Sequence, residues 1–137
     1  MATVERFEDL EIWKLARELV NMIYEVTSDN KFAKDYGLKD QIRRSSVSIM
    51  NNIAEGFESR TVKRFINYLG QAKASCGETR SVCYVALDCN YIDQEKFKKL
   101  YTLSTKISGK IKRFIDYLEN YDSNDRIKEA MVEYKSC

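Results

Sequence analysis

The side chains best suited to chemistry in this chain are cations. From Lys96 to Ile115 no acid occurs, and Lys96, Lys98, Lys99, Lys106, Lys110, Lys112 and Arg113 fall within that stretch. At helical spacing Lys99, Lys106, Lys110 and Arg113 come close to one face, and a row of positive charge suits phosphates. Arg43 with Arg44, and Arg60 with Lys63 and Arg64, extend positive charge through the middle of the chain. The net charge of +2 conceals this division, because residues 38–80 carry eight bases against four acids and residues 91–115 carry seven against two. The first thirty residues, by contrast, carry a net −4. Two readings of the cations stay open: contacts to RNA or DNA, or solvated and subunit-facing lysines that pair with the acidic segments. Arg43 is also spaced to pair with Asp40, three residues before it.

Catalysis has little to work with. The chain has no histidine, which removes Ser-His-Asp and Cys-His arrangements and every imidazole metal site. Glu55, Glu58 and Glu78 are the carboxylates near the middle of the chain, but di-iron bundles need Glu-x-x-His pairs. Glu55 is expected instead to balance Arg43, Arg44 or a base on a neighbouring subunit, or to pair with Arg80. Cys76, Cys83, Cys89 and Cys137 match no CxxC zinc or redox spacing, so Cys76 and Cys83 read as buried thiols on one helix face. No enzyme activity, metal, cofactor or small-molecule substrate is expected.

The elements that position these residues follow from periodicity. Leu10, Trp13, Ala16, Val20, Ile23 and Tyr24 form an apolar stripe that predicts a first helix over about 9–26. The segment TSDNKFAKDYG reads as a connection, and a second helix is expected over about 38–55, with Gly56 as a left-handed cap after it. Phe65, Leu69, Ala72, Cys76, Thr79, Cys83 and Ala86 predict a long third helix beginning near Thr61. Asp93 is placed to cap a fourth, which carries Phe97, Leu100, Tyr101, Ile107, Ile111, Phe114, Ile115 and Leu118. Four striped helices on short connections bury their stripes most simply as an all-α, antiparallel up-down-up-down four-helix bundle over residues 1–121. Residues 122–137 form a polar tail, either a short amphipathic helix through Ile127, Met131 and Tyr134 or a mobile end. With 137 residues, 44% of them apolar and 32% charged, one domain with one core is expected. No run is long enough to span a bilayer, and MATVERFEDLEIW interleaves acids where a signal peptide needs an apolar stretch. A cytoplasmic location and reduced thiols follow as expectations.

The stretch QIRRSSVSIMNNIAEG is unusual in placing Ser45 and Ser46 mid-stripe between Ile42 and Ile49. Small residues let helices approach, and a serine can bond to the carbonyl four residues earlier and so be buried without an unpaired donor. Asn51 and Asn52 are either surface amides or cross-helix hydrogen bonders. Trp13 belongs to packing or to a subunit contact rather than to base stacking, while Tyr117 and Tyr121 are less clearly internal.

Three blocks in order, FEDLEIWKLARELV at Phe7 to Val20, YGLKDQIRRSSVSIMNNIAEG at Tyr36 to Gly56 and ASCGETRSVCYVALDCNYI at Ala74 to Ile92, resemble the four-helix-bundle family named for 23S rRNA intervening sequences. The resemblance implies a ring of five subunits with a basic channel, no enzyme activity, and kinship with proteins that accompany diversity-generating retroelements. One departure stands out: many members carry a proline after the SI of the second block, where this chain has Met50 and no proline anywhere. Its second helix is therefore expected to run straighter. The functional expectation is a ring-forming homo-oligomer that binds nucleic acid through a basic surface including the fourth helix. The alternative is an oligomeric scaffold that assembles with another protein.

Overall fold

The structure, a computed structural model, describes residues 3–134. It is all-helical, with α1 at Glu11–Thr27, α2 at Asn30–Lys34, α3 at Tyr36–Phe57, α4 at Val62–Asp88, α5 at Gln94–Leu118 and α6 at Ile127–Met131. The four long helices correspond to the four predicted from periodicity. Each packs on two others: α3 and α5 both lie against α1 and against α4, so the contacts close a cycle around one core. None of these helices is long and apolar enough to cross a membrane.

Side-chain caps set three of the starts. The carboxylates of Asp35 and Asp93 accept from the amides of Leu38 at 3.1 Å and Lys96 at 2.8 Å, and the Thr61 hydroxyl accepts from the Arg64 amide at 3.3 Å. Each satisfies one amide that the first helical turn leaves without a carbonyl. The stripes on α4 are buried as the spacing predicts, from Phe65 through Ala86. On α1 the core line lies one position round from the expected one. Ile12, Ala16, Leu19, Ile23 and Thr27 are buried, Trp13 and Val20 sit at its edge, and Tyr24 is exposed. Both sets obey three- and four-residue steps, and the aliphatic set fits the closer approach between helices.

Two further expectations are corrected. Gly56 is not a left-handed cap: it lies inside α3, and among the described residues no glycine has positive φ. The turn into α4 is made instead at Arg60, with φ of 88°. The predicted connection before α3 contains α2, anchored by Phe32, which is buried and stacks on Tyr91 at 5.1 Å. Tyr91 in turn donates its hydroxyl to Asp35 at 2.9 Å, so the residue that caps α3 also tethers the turn after α4. α3 runs unbroken through Met50, where the family resemblance places a proline.

The segment after α5 folds back over one end of the molecule. The amides of Val62 and Lys63 donate to the carbonyls of Asp125 and Ser123 at 2.9 and 3.0 Å, and the Ile127 amide donates to Arg60 at 2.9 Å. These bonds close the start of α4 and lay Ile127, Ala130 and Met131 into the core. The Tyr117 hydroxyl donates to the Ala130 carbonyl at 2.6 Å and lies 3.1 Å from that of Tyr121, so both tyrosines border this strap. Residues 135–137, with Cys137, lie outside the described residues.

Cys76 and Cys83 are buried, whereas Cys89 is exposed at the end of α4. Burial pushes the Cys76 and Cys83 thiols up to about 12, and the thiolate is the reactive form. In a Cys137→Ser protein at pH 8, one thiol is therefore expected to react promptly with a thiol reagent. The other two should become reactive only on unfolding. Prompt titration of all three would contradict the packing of α4.

Candidate nucleic-acid interface

The small polar residues of α3 form a seam against α4. Ser45 Oγ lies 2.9 Å from Thr79 Oγ1, and Ser48 Oγ lies 3.0 Å from Ser75 Oγ. Further along, a side chain at Gly56 would run into Tyr68 and Phe65. Residue numbers rise along α3 as they fall along α4, by three and eight on α3 against four and seven on α4. Every buried hydroxyl in the seam has a partner: Ser46 donates to the Arg43 carbonyl at 3.1 Å, and of Ser45 and Thr79 one donates to the other while the second can donate to its own helix, to the Ile42 carbonyl at 3.2 Å or the Ser75 carbonyl at 2.9 Å. The serines reach back three residues rather than the expected four. Asn52 donates to the Ser48 carbonyl at 2.9 Å and contacts its hydroxyl at 3.0 Å, while Asn51 is exposed. Ser45, Ser46 and Asn52 thus serve packing between or along helices, with buried hydrogen bonds worth about 1 kcal/mol each.

The candidate cations divide sharply by what they touch. Arg43 is half-buried, its Nε donating to Thr27 Oγ1 at 2.8 Å and its guanidinium to Ser28 Oγ at 3.2 Å. That guanidinium lies 4.2 Å from the Tyr24 ring centre, so Arg43 fastens α3 to the end of α1. Asp40 pairs not with Arg43 but with Arg44, at 3.5 Å. One helical turn separates Asp40 from Arg44, so their side chains stack directly above one another. On α5, Lys110 is largely enclosed and paired with Glu11 of α1, and Lys99 pairs with Glu95 at 3.4 Å. Lys112 pairs with Asp116 at 2.7 Å. The acids that bound the acid-free stretch therefore reach into it, and acidic α1 reaches across to it.

Lys106 and Arg113 are exposed, and among the described residues neither has an acidic partner. The same holds for Arg60, Lys63 and Arg64, which gather at the turn between α3 and α4. The strap brings Arg126 to this turn, opposite Thr61, and Lys128 lines a cleft with Arg60. Sequence spacing gave no signal for these last two, since only the fold-back of the chain joins them to Arg60. Glu55 is exposed and, among the described residues, pairs with none of Arg43, Arg44 and Arg80; it lines a shallow cleft with Glu58, Arg64 and Asn67. Trp13 is half-buried against Phe7, edge to face at 5.3 Å, with Arg17 over its ring at 5.8 Å.

Four long helices around one core, with a polar α3–α4 seam and exposed surface cations, define an all-helical protein. The chain belongs to the 23S rRNA-intervening sequence protein family, whose sequence model matches residues 8–113. Among solved structures it is similar to a protein of unknown function from the S23 ribosomal protein family of Bacteroides thetaiotaomicron VPI-5482. The two share 25% identity and a TM-score of 0.70 over 76% of this chain and 97% of that one. No curated protein matches the chain. The strap after α5 lies beyond the residues the family model matches.

Proposed function

We propose that this protein is a non-enzymatic homo-oligomer that binds nucleic acid through a basic surface. In this reading its four long helices form an antiparallel up-down-up-down bundle, which the closed cycle of contacts and the short connections support. The observation that carries the binding is the set of exposed cations that have no acidic partner among the described residues, Lys106 and Arg113 on α5 and Arg60, Lys63 and Arg64 before and within the start of α4. Arg43, Lys99 and Lys110 are engaged within the chain and serve the fold. In the ring of five that the resemblance implies, the patch would recur on every subunit, and weak contacts add through effective concentration. The scaffold reading draws support from the same internal pairs, which consume part of the α5 stripe in folding.

The test is affinity for structured RNA and duplex DNA across a salt series. Removing one phosphate contact lowers the logarithmic salt slope by about 0.9 on duplex. Lys106→Gln/Arg113→Gln is expected to weaken binding several-fold and to flatten the slope by about twice that amount. Lys110→Gln is expected to keep the slope while lowering thermal stability, because it breaks the largely enclosed ion pair with Glu11. An equal fall in slope in both proteins would mean that Lys110 also meets phosphate. Light scattering should give a mass several times 16.1 kDa; a single-subunit mass would end the oligomer reading.

A further inference from the structure

The two flanks of α5 meet different neighbours. Lys110 reaches toward α1, where it pairs with Glu11, and Lys99 and Lys106 share its side of the helix. The other flank faces α4, and there Tyr84, Phe97 and Tyr101 form an aromatic cluster. Ring centres are 4.8 Å apart for Tyr84 and Phe97, 5.9 Å for Tyr84 and Tyr101, and 5.6 Å for Phe97 and Tyr101. This cluster stands in the open, with Tyr84 49% and Tyr101 36% exposed and Val85 alongside at 45%. Other exposed tyrosines are roofed by the chain's own cations, Tyr24 by Arg43 at 4.2 Å and Tyr36 by Lys39 at 5.0 Å. Among the described residues, no cation lies over Tyr84 or Tyr101.

Cations outnumber acids beside these rings, where Asp88 stands exposed one turn after Tyr84 and Asp93 caps α5 one turn before Phe97. Lys98 is exposed and follows Phe97 in the chain, and Arg80 sits one turn before Tyr84 on α4 with its guanidinium beside Gly77. Lys73 lies two turns earlier still, and both it and Arg80 are half-buried close to Cys76. Lys73 to Tyr84 spans about 16 Å at 1.5 Å per residue. Between residues 73 and 87 the one acid of α4 is Glu78, which opens into a cleft with Asp40, Gln41 and Arg44 on the α3 side. α5 contributes no acid from Lys96 to Ile115. The α4–α5 face thus combines exposed aromatic side chains with cations, and its acids, Asp88 and Asp93, are confined to the end beside Tyr84 and Phe97.

We propose that this face binds single-stranded nucleic acid, with Tyr84, Phe97 and Tyr101 stacking bases and Lys73, Arg80 and Lys98 holding the backbone. A duplex offers no free base face to such rings, whereas an unpaired strand offers one at every nucleotide. The inference rests on the nucleic-acid reading above and names the substrate class and the site. Neither residues 73–84 of α4 nor the aromatic cluster belongs to the unpaired patch of Lys106, Arg113 and the α3–α4 turn, so the two can fail separately.

The experiment compares a short labelled oligouridine with duplex RNA by fluorescence anisotropy at low salt. Tyr84→Ala/Tyr101→Ala is expected to weaken oligouridine binding roughly 10-fold or more, since removing each ring removes the base stacked on it. Its salt slope and its duplex binding should stay as in the parent. Phenylalanine at both positions should restore oligouridine affinity, which a hydroxyl-dependent role would not allow. Lys73→Gln/Arg80→Gln should instead flatten the single-strand slope by about 1.4. Unaltered oligouridine affinity in the alanine protein, beside weaker binding by Lys106→Gln/Arg113→Gln, would overturn this site and leave the broader reading standing. No binding of either probe by the parent would overturn both. A changed mass by light scattering in the alanine protein would make the cluster a contact between copies and also overturn the proposal.

Discussion

Phe114→Ala is expected to cost about 3–5 kcal/mol, the range for deleting a buried aromatic ring. Phe114 is 1% exposed and meets Phe65 of α4 edge to face at 5.3 Å. On its other side Tyr134 stacks on it at 4.4 Å, and Tyr117 lies 6.4 Å away. One ring therefore joins α5, α4 and the strap, and removing it leaves a cavity that backbone hydrogen bonds at the start of α4 prevent from collapsing. Thermal melting should fall by more than about ten degrees, and the strap should become sensitive to protease between α5 and its end, since its apolar support is gone. Tyr134→Ala trims only the outer, half-exposed partner and should cost about 1 kcal/mol while exposing the same segment. If Phe114→Ala melted like the parent, or left the strap protected, the strap's place in the core would be wrong.

What could be read from the sequence were the features that repeat. Phe65, Leu69, Ala72, Cys76, Thr79, Cys83 and Ala86 recur at helical steps, and no competing pattern shares that span; Asp93 announces a cap by residue type and position. α1 was ambiguous because Trp13, Val20 and Tyr24 keep the same steps as Ile12, Leu19 and Ile23, and only the neighbouring helices decide which line is buried. The cations were legible as a group but not singly. Nothing in the local pattern tells that Arg43 reaches Thr27 sixteen residues away, or that Glu11 closes on Lys110 across the fold. The polar seam was half legible: serines mid-stripe signalled close approach, but their partners Thr79 and Ser75 are fixed by the register of α4. Tyr84 belongs to no apolar stripe, so its meeting with Phe97 and Tyr101 depends wholly on how α4 lies on α5.

Gly56 separates two physical roles that a sequence cannot distinguish, a left-handed cap and a point of close approach. A Cβ built there would lie 2.7 Å from Tyr68 Cβ and 2.9 Å from Phe65 Cδ1. The first of these is fixed to the α4 backbone and cannot turn aside, so α3 and α4 must separate where the Ser45–Thr79 and Ser48–Ser75 contacts hold them together. Helix propensity pulls the other way, since alanine gains about 1 kcal/mol over glycine inside a helix. Overpacking a tight contact costs about 1–3 kcal/mol and sometimes more, and with two atoms inside contact distance and one of them immobile, the steric cost wins. Gly56→Ala is therefore expected to be destabilising by about 1–2 kcal/mol net. Gly56→Asn decides between the roles: asparagine suits a left-handed cap better than alanine does, but at a close approach its larger side chain must be worse. Chemical denaturation should rank the proteins glycine, alanine, asparagine in falling stability. Asparagine above alanine would return Gly56 to the cap that its position before Phe57 first implies.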